Sequence, residues 1–492
     1  MVGLASRHLQ NLRRRDFVAG AALIDGCWIA GENRDVVVDP ATGEGIADVA
    51  HCHVADMNHA IAAAERSFQA WRELLPARRG AILKSWASLM LDHSEELATL
   101  VTSEQGKPLA EARHEIAYGA GFLEWFAAEG ERAYGETIPS HQPGSLLHVR
   151  MQPIGVAAAI TPWNFPVAMI TRKAGAALAA GCPVIVKPAP ETPLSALAVA
   201  RLAVEAGVPR GVFQMLVGDP IELSKPLLHD TRIRALSFTG STQVGRLLLE
   251  GAAETVKRVS LELGGHAPFL VFDDVDLDKA VKGVMAAKFA TSGQDCLAAN
   301  RIYVQKSIYG SFVDAFAAAM TQLKVGHGLE RSTDIGPMTK VSVANKCRIQ
   351  IEDAAAKGAR VISANQDASL CPNFVLPTLL SDVTEDMLIA REETFGPVAA
   401  VLPFDSEEEV VTRANGNEMG LAGYVYTDSL RRALRLSEKI ECGMVGINTA
   451  SFTGPPIPFG GWKQSGLGRE GSRHGLAEYM ELKYVCFGDV LA

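Results

Sequence analysis

From Asp56 to about Arg132, apolar positions recur three and four residues apart, as in Met57-Asn58-His59-Ala60-Ile61-Ala62-Ala63-Ala64 and Ala81-Ile82-Leu83-Lys84-Ser85-Trp86-Ala87. That period predicts helices with one buried face, with Asp56 and Ser94 placed as N-caps. From Pro153 the pattern changes, and short apolar runs take turns with helical stretches. Gly155 to Ile160, Pro183 to Val186, Val212 to Val217, Ile233 to Phe238 and Phe269 to Phe272 read as strands. Ala168 to Ala180, Pro193 to Ala206 and Thr242 to about Ala253 read as helices. Strands that do not alternate are buried on both faces, and helices between them make the sheet parallel. The expected fold is therefore doubly wound α/β, which holds dinucleotides at the carboxyl ends of its strands.

A second α/β stretch follows. A helix from Leu277 to Ala290 leads to Gly293-Gln294-Asp295-Cys296, then come a strand from Arg301 to Val304 and a long helix to about Leu323. Asn345 to Ala356 is helical, and Leu421 to Tyr426 and Met444 to Ile447 read as strands. Gly and Pro make Phe452 to Gly461 a loop, and the tail from Tyr479 to Phe487 alternates as a strand does. There is no internal repeat.

A chain of 492 residues has room for about three such units. Its 48% hydrophobic and 21% charged content is ordinary for a globular protein. A net charge of −9 offers nothing to a polyanion, and Arg13-Arg14-Arg15 reads as a solvated helix end, so no nucleic-acid partner is expected. The longest uncharged stretch, Met151 to Thr171, contains Pro153, Pro162 and Pro166, which speaks against a membrane helix. Met1 to Arg15 is polar and lacks the apolar core of an export signal. The eight cysteines form no CxxC pair and have no His at zinc-ligand spacing. His114-Glu115 does not extend to a metalloprotease motif, because residue 118 is Tyr. A cytoplasmic protein with free thiols and no metal is expected.

Candidate chemistry narrows this picture. Cys296 follows Gly293-Gln294 between a helix and a strand, where a tight turn can project a thiol into a cleft and nearby amides can lower its pKa. Taken alone, such a cysteine is more often a buried filler. Glu262, in Leu261-Glu262-Leu263-Gly264-Gly265, is flanked by apolar residues. Desolvation should raise its pKa toward that of a general base, although a helix-end carboxylate fits equally well. Asn164 lies in Thr161-Pro162-Trp163-Asn164-Phe165-Pro166. It could donate to an oxyanion, or simply bond its own backbone in a turn. Phe238-Thr239-Gly240-Ser241-Thr242-Gln243-Val244-Gly245 passes from a strand into a helix, where small residues let a phosphate reach the N-terminal amides. Lys187 ends a strand, in reach of a ribose, as exposed strand-end lysines also do.

These motifs occur together and in one order with Lys187-Pro188, Glu393-Thr394-Phe395-Gly396-Pro397 and Pro458-Phe459-Gly460-Gly461-x-Lys463-x-Ser465-Gly466. Over essentially its whole length the chain resembles the aldehyde dehydrogenase superfamily, and most of all its succinate-semialdehyde dehydrogenase branch. Met169 to Gly175, Ala299-Asn300-Arg301 and Gly466 to Ser472 carry the closer likeness. The resemblance implies two doubly wound Rossmann-like domains and a small β oligomerisation element. The coenzyme domain would span 1–138 and 154–265, with 453–477 returning to it. The catalytic domain would span 266–452, and the oligomerisation element 139–153 and 478–492, in a homodimer or homotetramer.

It also implies a mechanism. Cys296 attacks an aldehyde, the Asn164 amide and the Cys296 N–H stabilise the oxyanion, hydride passes to NAD or NADP, and Glu262 activates water to release the acid. Lys173 and Glu470 match a proton-relay pair. Lys187 and Glu393 would hold the two riboses, Ser241 the pyrophosphate, and Phe395 would flank the nicotinamide ribose. Thr161, Pro162, Trp163, Gly240, Gly245 and Leu263 complete the implied cofactor set, and Arg172 and Thr453 the implied substrate set. Three positions depart from the branch. Ala298 replaces a second cysteine. Ala290 replaces one of two arginines that bind the substrate carboxylate. Pro190, followed by Glu191, stands where Glu or Ser usually sets cofactor choice, which stays open. The competing readings are a broad aldehyde dehydrogenase, a CoA-acylating relative (which Glu262 opposes), a silent scaffold and a cysteine hydrolase.

Overall fold

In the computed structural model, which describes residues 4–364 and 371–489, the apolar runs after Pro153 are buried end to end and lie side by side. The domain limits expected at 1 and 492 fall outside those residues. The first sheet has eight strands, in spatial order Cys27–Ile29, Ala22–Ile24, Phe213–Met215, Val184–Lys187, Val156–Ile160, Ile233–Thr239, Arg258–Glu262 and Gly466–Leu467. Its five central strands pair in parallel. Antiparallel strands close the sheet at both edges. The first helix after Pro153, Ala168–Ala180, is wholly buried, Arg172 and Lys173 included. It ends at Gly181, whose left-handed φ of 99° suits glycine.

The second sheet has seven strands, with Ala299–Gln305 at its centre between Val398–Phe404 and Ala267–Val271. All its pairings are parallel except that of the edge strand Arg360–Ser363. A third, antiparallel sheet joins Met480–Phe487 to Leu146–Pro153, which in turn pairs Glu136–Ile138. Among the described residues no helix is long and apolar enough to cross a membrane.

Several sequence expectations need correction. The helix Val54–Glu73 is capped by His53, whose N–H donates to Asp56 Oδ2 at 2.8 Å, so Asp56 lies at its third position, reaching back. Ser94 is the first residue of its helix, and His93 is the cap. The N-terminal strands Ala22–Ile24, Cys27–Ile29, Arg34–Val38 and Gly45–Ala50 were not legible, nor was the helix Pro220–His229, which carries Pro226 inside it. Those strands are short, and their partners fix them more than their pattern does. Arg258–Glu262 is also a strand, so Glu262 belongs to the sheet and not to a helix end.

Candidate active site

Parallel strands put their carboxyl ends on one side of a sheet. Here that side carries Thr161, Pro162, Trp163 and Asn164 after one strand, Lys187 at the end of the next, and Gly240 and Ser241 after a third. Glu262 and Leu263 follow from Arg258–Glu262. Gly240 N–H donates to the Glu262 carbonyl at 3.0 Å, and Leu263 N–H to that of Ser465 at 2.9 Å.

Cys296 lies just before Ala299–Gln305, the central strand of the second sheet. The helix Leu277–Phe289 runs into a short turn, Ala290–Gly293, where Thr291, Ser292 and Gly293 have φ of 51°, 56° and 74°. Three successive left-handed residues are strained unless the surroundings hold them. Thr291 N–H donates to Glu111 at 2.9 Å, and Ser292 Oγ accepts from Gly336 N–H at 2.9 Å. Gln294 Oε1 accepts from Thr339 N–H at 2.9 Å. Asn164 Nδ2 donates to the Gln294 carbonyl at 3.1 Å, reaching the nucleophile loop and not its own turn. Asp295 Oδ1 accepts from Leu297 N–H at 2.9 Å, spanning Cys296.

A cavity of about 590 Å³ opens over this loop, lined among others by Phe165, Met169, Arg172, Cys296, Thr453 and Phe459. The thiol is not acidified by its turn. Burial pushes Cys296 well above the ordinary thiol range, and the Asp295 and Glu393 charges push the same way. Glu262 is buried, and neither carboxylate oxygen has a hydrogen-bond partner among the described residues. Burial and the charge of Glu470 raise its carboxyl well above the carboxylate range, against the pull of Arg172 and Lys173.

Arg172, Lys173 and Glu470 form one buried cluster. Lys173 Nζ contacts Glu470 Oε1 and donates to Ser237 Oγ at 3.0 Å and Thr239 Oγ1 at 2.7 Å. Arg172 Nε lies 3.0 Å from Glu470 Oε2, an ion pair whose angle is too poor for a hydrogen bond. The Arg172 guanidinium sits 4.2 Å from the Phe459 ring centroid and 5.3 Å from that of Phe122, and its Nη1 has no partner. Burial would raise Glu470, but Lys173 and Arg172 outweigh it and hold the carboxyl low. Burial lowers the Lys173 ammonium.

The residues expected to hold a dinucleotide form a cradle that fits one. Thr161 Oγ1 is buried without a partner. Lys187 is buried, not exposed. Its Nζ donates to the Pro188 carbonyl at 3.0 Å, and burial lowers its pKa to about 8. Glu393 Oε1 accepts from Gly265 N–H at 3.0 Å, and burial raises its carboxyl to about 7. Phe395, at φ 59°, meets Trp163 edge to face at 5.4 Å. A Cβ on Gly245 would come within 2.4 Å of Leu263, so glycine lets the N-terminus of helix Thr242–Ala253 approach the sheet. Ser241 caps that helix, accepting from Val244 N–H at 3.3 Å. Glu191, next to Pro190, is paired with Lys340 at 2.5 Å.

The sequence reading passed over Glu111, Asp295 and Lys107. The buried Lys107 pairs Glu115 at 2.7 Å and donates to the Asn164 carbonyl at 2.7 Å, fixing that turn. The signal was present, since Glu111, Glu115 and Tyr118 recur at helical spacing on the helix Leu109–Glu129.

A family model described as the aldehyde dehydrogenase family matches residues 28–485. The chain is 53% identical over 469 residues to an aspartate-semialdehyde dehydrogenase (non-phosphorylating) of Halomonas elongata, covering 95% of each. It is 50% identical to a succinate-semialdehyde dehydrogenase [NADP(+)] of Escherichia coli, covering 95% of this chain and 97% of that one. A crystal structure of succinate-semialdehyde dehydrogenase from Burkholderia pseudomallei superposes with a TM-score of 0.96 at 48% identity, covering 97% of this chain and 100% of that one.

Proposed function

The chain belongs to the aldehyde dehydrogenase family, and we propose that Cys296, Glu262 and Asn164 carry out its reaction, the NAD(P)-dependent oxidation of a semialdehyde to the acid, with succinate semialdehyde as substrate. The observation that carries this reading is a half-buried thiol facing a cavity, within electrostatic reach of a buried carboxylate that has no hydrogen-bond partner among the described residues.

A thiol raised by burial needs a base of matched strength, and Glu262 is raised toward it. Glu262 takes the thiol proton and hands it on through the Lys173–Glu470 cluster, so that it is a carboxylate again, and Cys296 Sγ bonds to the aldehyde carbon while the carbonyl electron pair moves to oxygen. Asn164 Nδ2 spends one hydrogen on the Gln294 carbonyl and has a second for that oxygen, which the Cys296 N–H shares. When bound, NAD or NADP supplies the hydride acceptor, which leaves Cys296 holding a thioester. Lys187, Glu393, Ser241, Gly240, Thr161, Trp163 and Phe395 would hold the dinucleotide. Glu262 then removes a proton from water, whose oxygen attacks the thioester and expels the thiolate. Its proton passes on through the Lys173–Glu470 cluster.

The domain bounds set out from the sequence are part of this reading, with residues 139–153 and 478–492 as the assembly element. Leu482 and Tyr484 of Met480–Phe487 are 70% and 54% exposed, an apolar surface suited to a second copy of the chain. The same reading places the chain in the cytoplasm, where its eight unpaired cysteines stay reduced.

Wild type and Cys296→Ala should be assayed with succinate semialdehyde, glutarate semialdehyde and butanal, each with NAD and NADP. Wild type should produce NAD(P)H. Cys296→Ala should produce none while binding cofactor with nearly unchanged affinity by fluorescence titration. Turnover retained in Cys296→Ala would overturn the assignment.

A further inference from the structure

The helix Leu109–Glu129 lines the cavity with Glu111, His114, Glu115 and Tyr118, and three of these are already engaged. Glu111 accepts from Thr291 N–H at 2.9 Å, and Glu115 is paired with Lys107. Tyr118 packs edge to face on Phe122 at 4.9 Å, next to Arg172. His114 is exposed at the cavity wall and has no hydrogen bond or ion pair among the described residues; its ring is stacked on Tyr118 at 6.4 Å and 14°. One helical turn separates it from Glu111, which holds Thr291, the residue after Ala290. His114 and Ala290 line the same cavity.

Arg172 alone makes an incomplete anion site. Its Nε is already ion-paired with Glu470 and its Nη2 meets Met169 Sδ, which leaves Nη1 with no hydrogen-bond partner among the described residues. We propose that His114 is the second group that receives the distal anion of the substrate, occupying the role that Ala290 cannot fill, and that it sets selection for aldehydes ending in a carboxylate or sulfonate. The proposal rests on the reading that this cavity takes the aldehyde. Tyr118 lies parallel to the imidazole on one side. Glu111, Glu115 and Asp295 are the acids around it, each already holding a backbone N–H or the Lys107 ammonium. The nearby cation is Arg172. An N–H donor between these groups can meet an anionic substrate end without a second arginine.

The test compares kcat/KM for succinate semialdehyde with that for butanal in wild type, His114→Ala, His114→Phe, His114→Lys and the double variant His114→Ala with Ala290→Arg. The Phe variant keeps the stack on Tyr118 and removes the donor. The ratio should fall about tenfold in the Ala and Phe variants, one charge-assisted contact at a partly exposed site, and the fall should appear in KM for the semialdehyde. His114→Lys should keep the ratio, and Ala290→Arg should restore it in the His114→Ala background. A ratio within about twofold of wild type in both His114→Ala and His114→Phe would overturn the proposal while leaving the oxidation itself standing. No NAD(P)H from either aldehyde in wild type would overturn the reading of the cavity, and this proposal with it.

Discussion

Cys296 is a half-buried thiol and Glu262 a buried carboxyl within electrostatic reach of it, and desolvation raises both. Two outcomes follow at this scale. The reactive species is the thiolate, and the thiol pKa lies above its ordinary range, so the ionised fraction grows throughout neutral and alkaline pH. Measured kcat/KM should rise steadily between about pH 6 and 9. A profile flat over that window would mean the thiol is acidified after all. Replacing Glu262 by Gln keeps shape and removes the base. Pre-steady-state mixing should then show a burst of NAD(P)H that is itself slowed, because the thiol must lose its proton to solvent, followed by turnover slowed further, about a hundredfold or more, because hydrolysis of the thioester loses its base. Equal slowing of the burst and the steady state would assign Glu262 to acylation alone.

The turn that carries the nucleophile is held open by its neighbours more than by its own preferences. Gly293 sits at φ 74°, and a Cβ there would lie 2.3 Å from the Gly396 carbonyl oxygen, a backbone atom that cannot step aside. Gly293→Ala should therefore cost about 2 kcal/mol or more in chemical unfolding, from left-handed strain plus displacement of the Gly396 backbone. It should lower kcat more than it lowers stability, since Cys296 lies three residues on. Gly310→Ala is the control. Nothing lies within 4 Å of its Cβ position and its φ is not left-handed, so its stability should stay within about 0.5 kcal/mol of wild type. Similar losses in the two variants would remove the argument from the turn. The same helix-to-turn segment explains a limit of sequence reading. The pattern ran the helix on to Ala290, yet it stops at Phe289, because Glu111 from 180 residues away takes the Thr291 N–H.

In the whole molecule, two parallel sheets present their strand ends to a shared site, and the third sheet stands apart with its apolar side chains exposed. On the strand Met480–Phe487, Leu482 and Tyr484 gain nothing from exposure, and burying them against another copy would return about 1.5–3 kcal/mol for each well-covered side chain. Leu482→Asp with Tyr484→Asp should lower the mass measured by light scattering at micromolar concentration, while the oxidation of a semialdehyde persists at a reduced level. An unchanged mass would place the assembly surface elsewhere.

The sequence by itself determined the central parallel strands, the helices between them and the motif residues at the strand ends. Burial on both faces leaves a continuous apolar run, and a tight turn leaves Gly or Pro; both are local signals. The helices Ala168–Ala180 and Thr242–Ala253 have the limits that the pattern gave. Only the tertiary structure decided the rest. It decided that Glu262 ends a strand, that Asn164 reaches the loop before Cys296, and that Lys187 is buried. It decided that the thiol pKa goes up instead of down, because desolvation and the Asp295 charge outweigh the turn amides. It decided that Arg172 arrives at the cavity already paired with Glu470, 298 positions along the chain. Desolvation and long-range pairing depend on which surfaces meet, and no local pattern of residues records that.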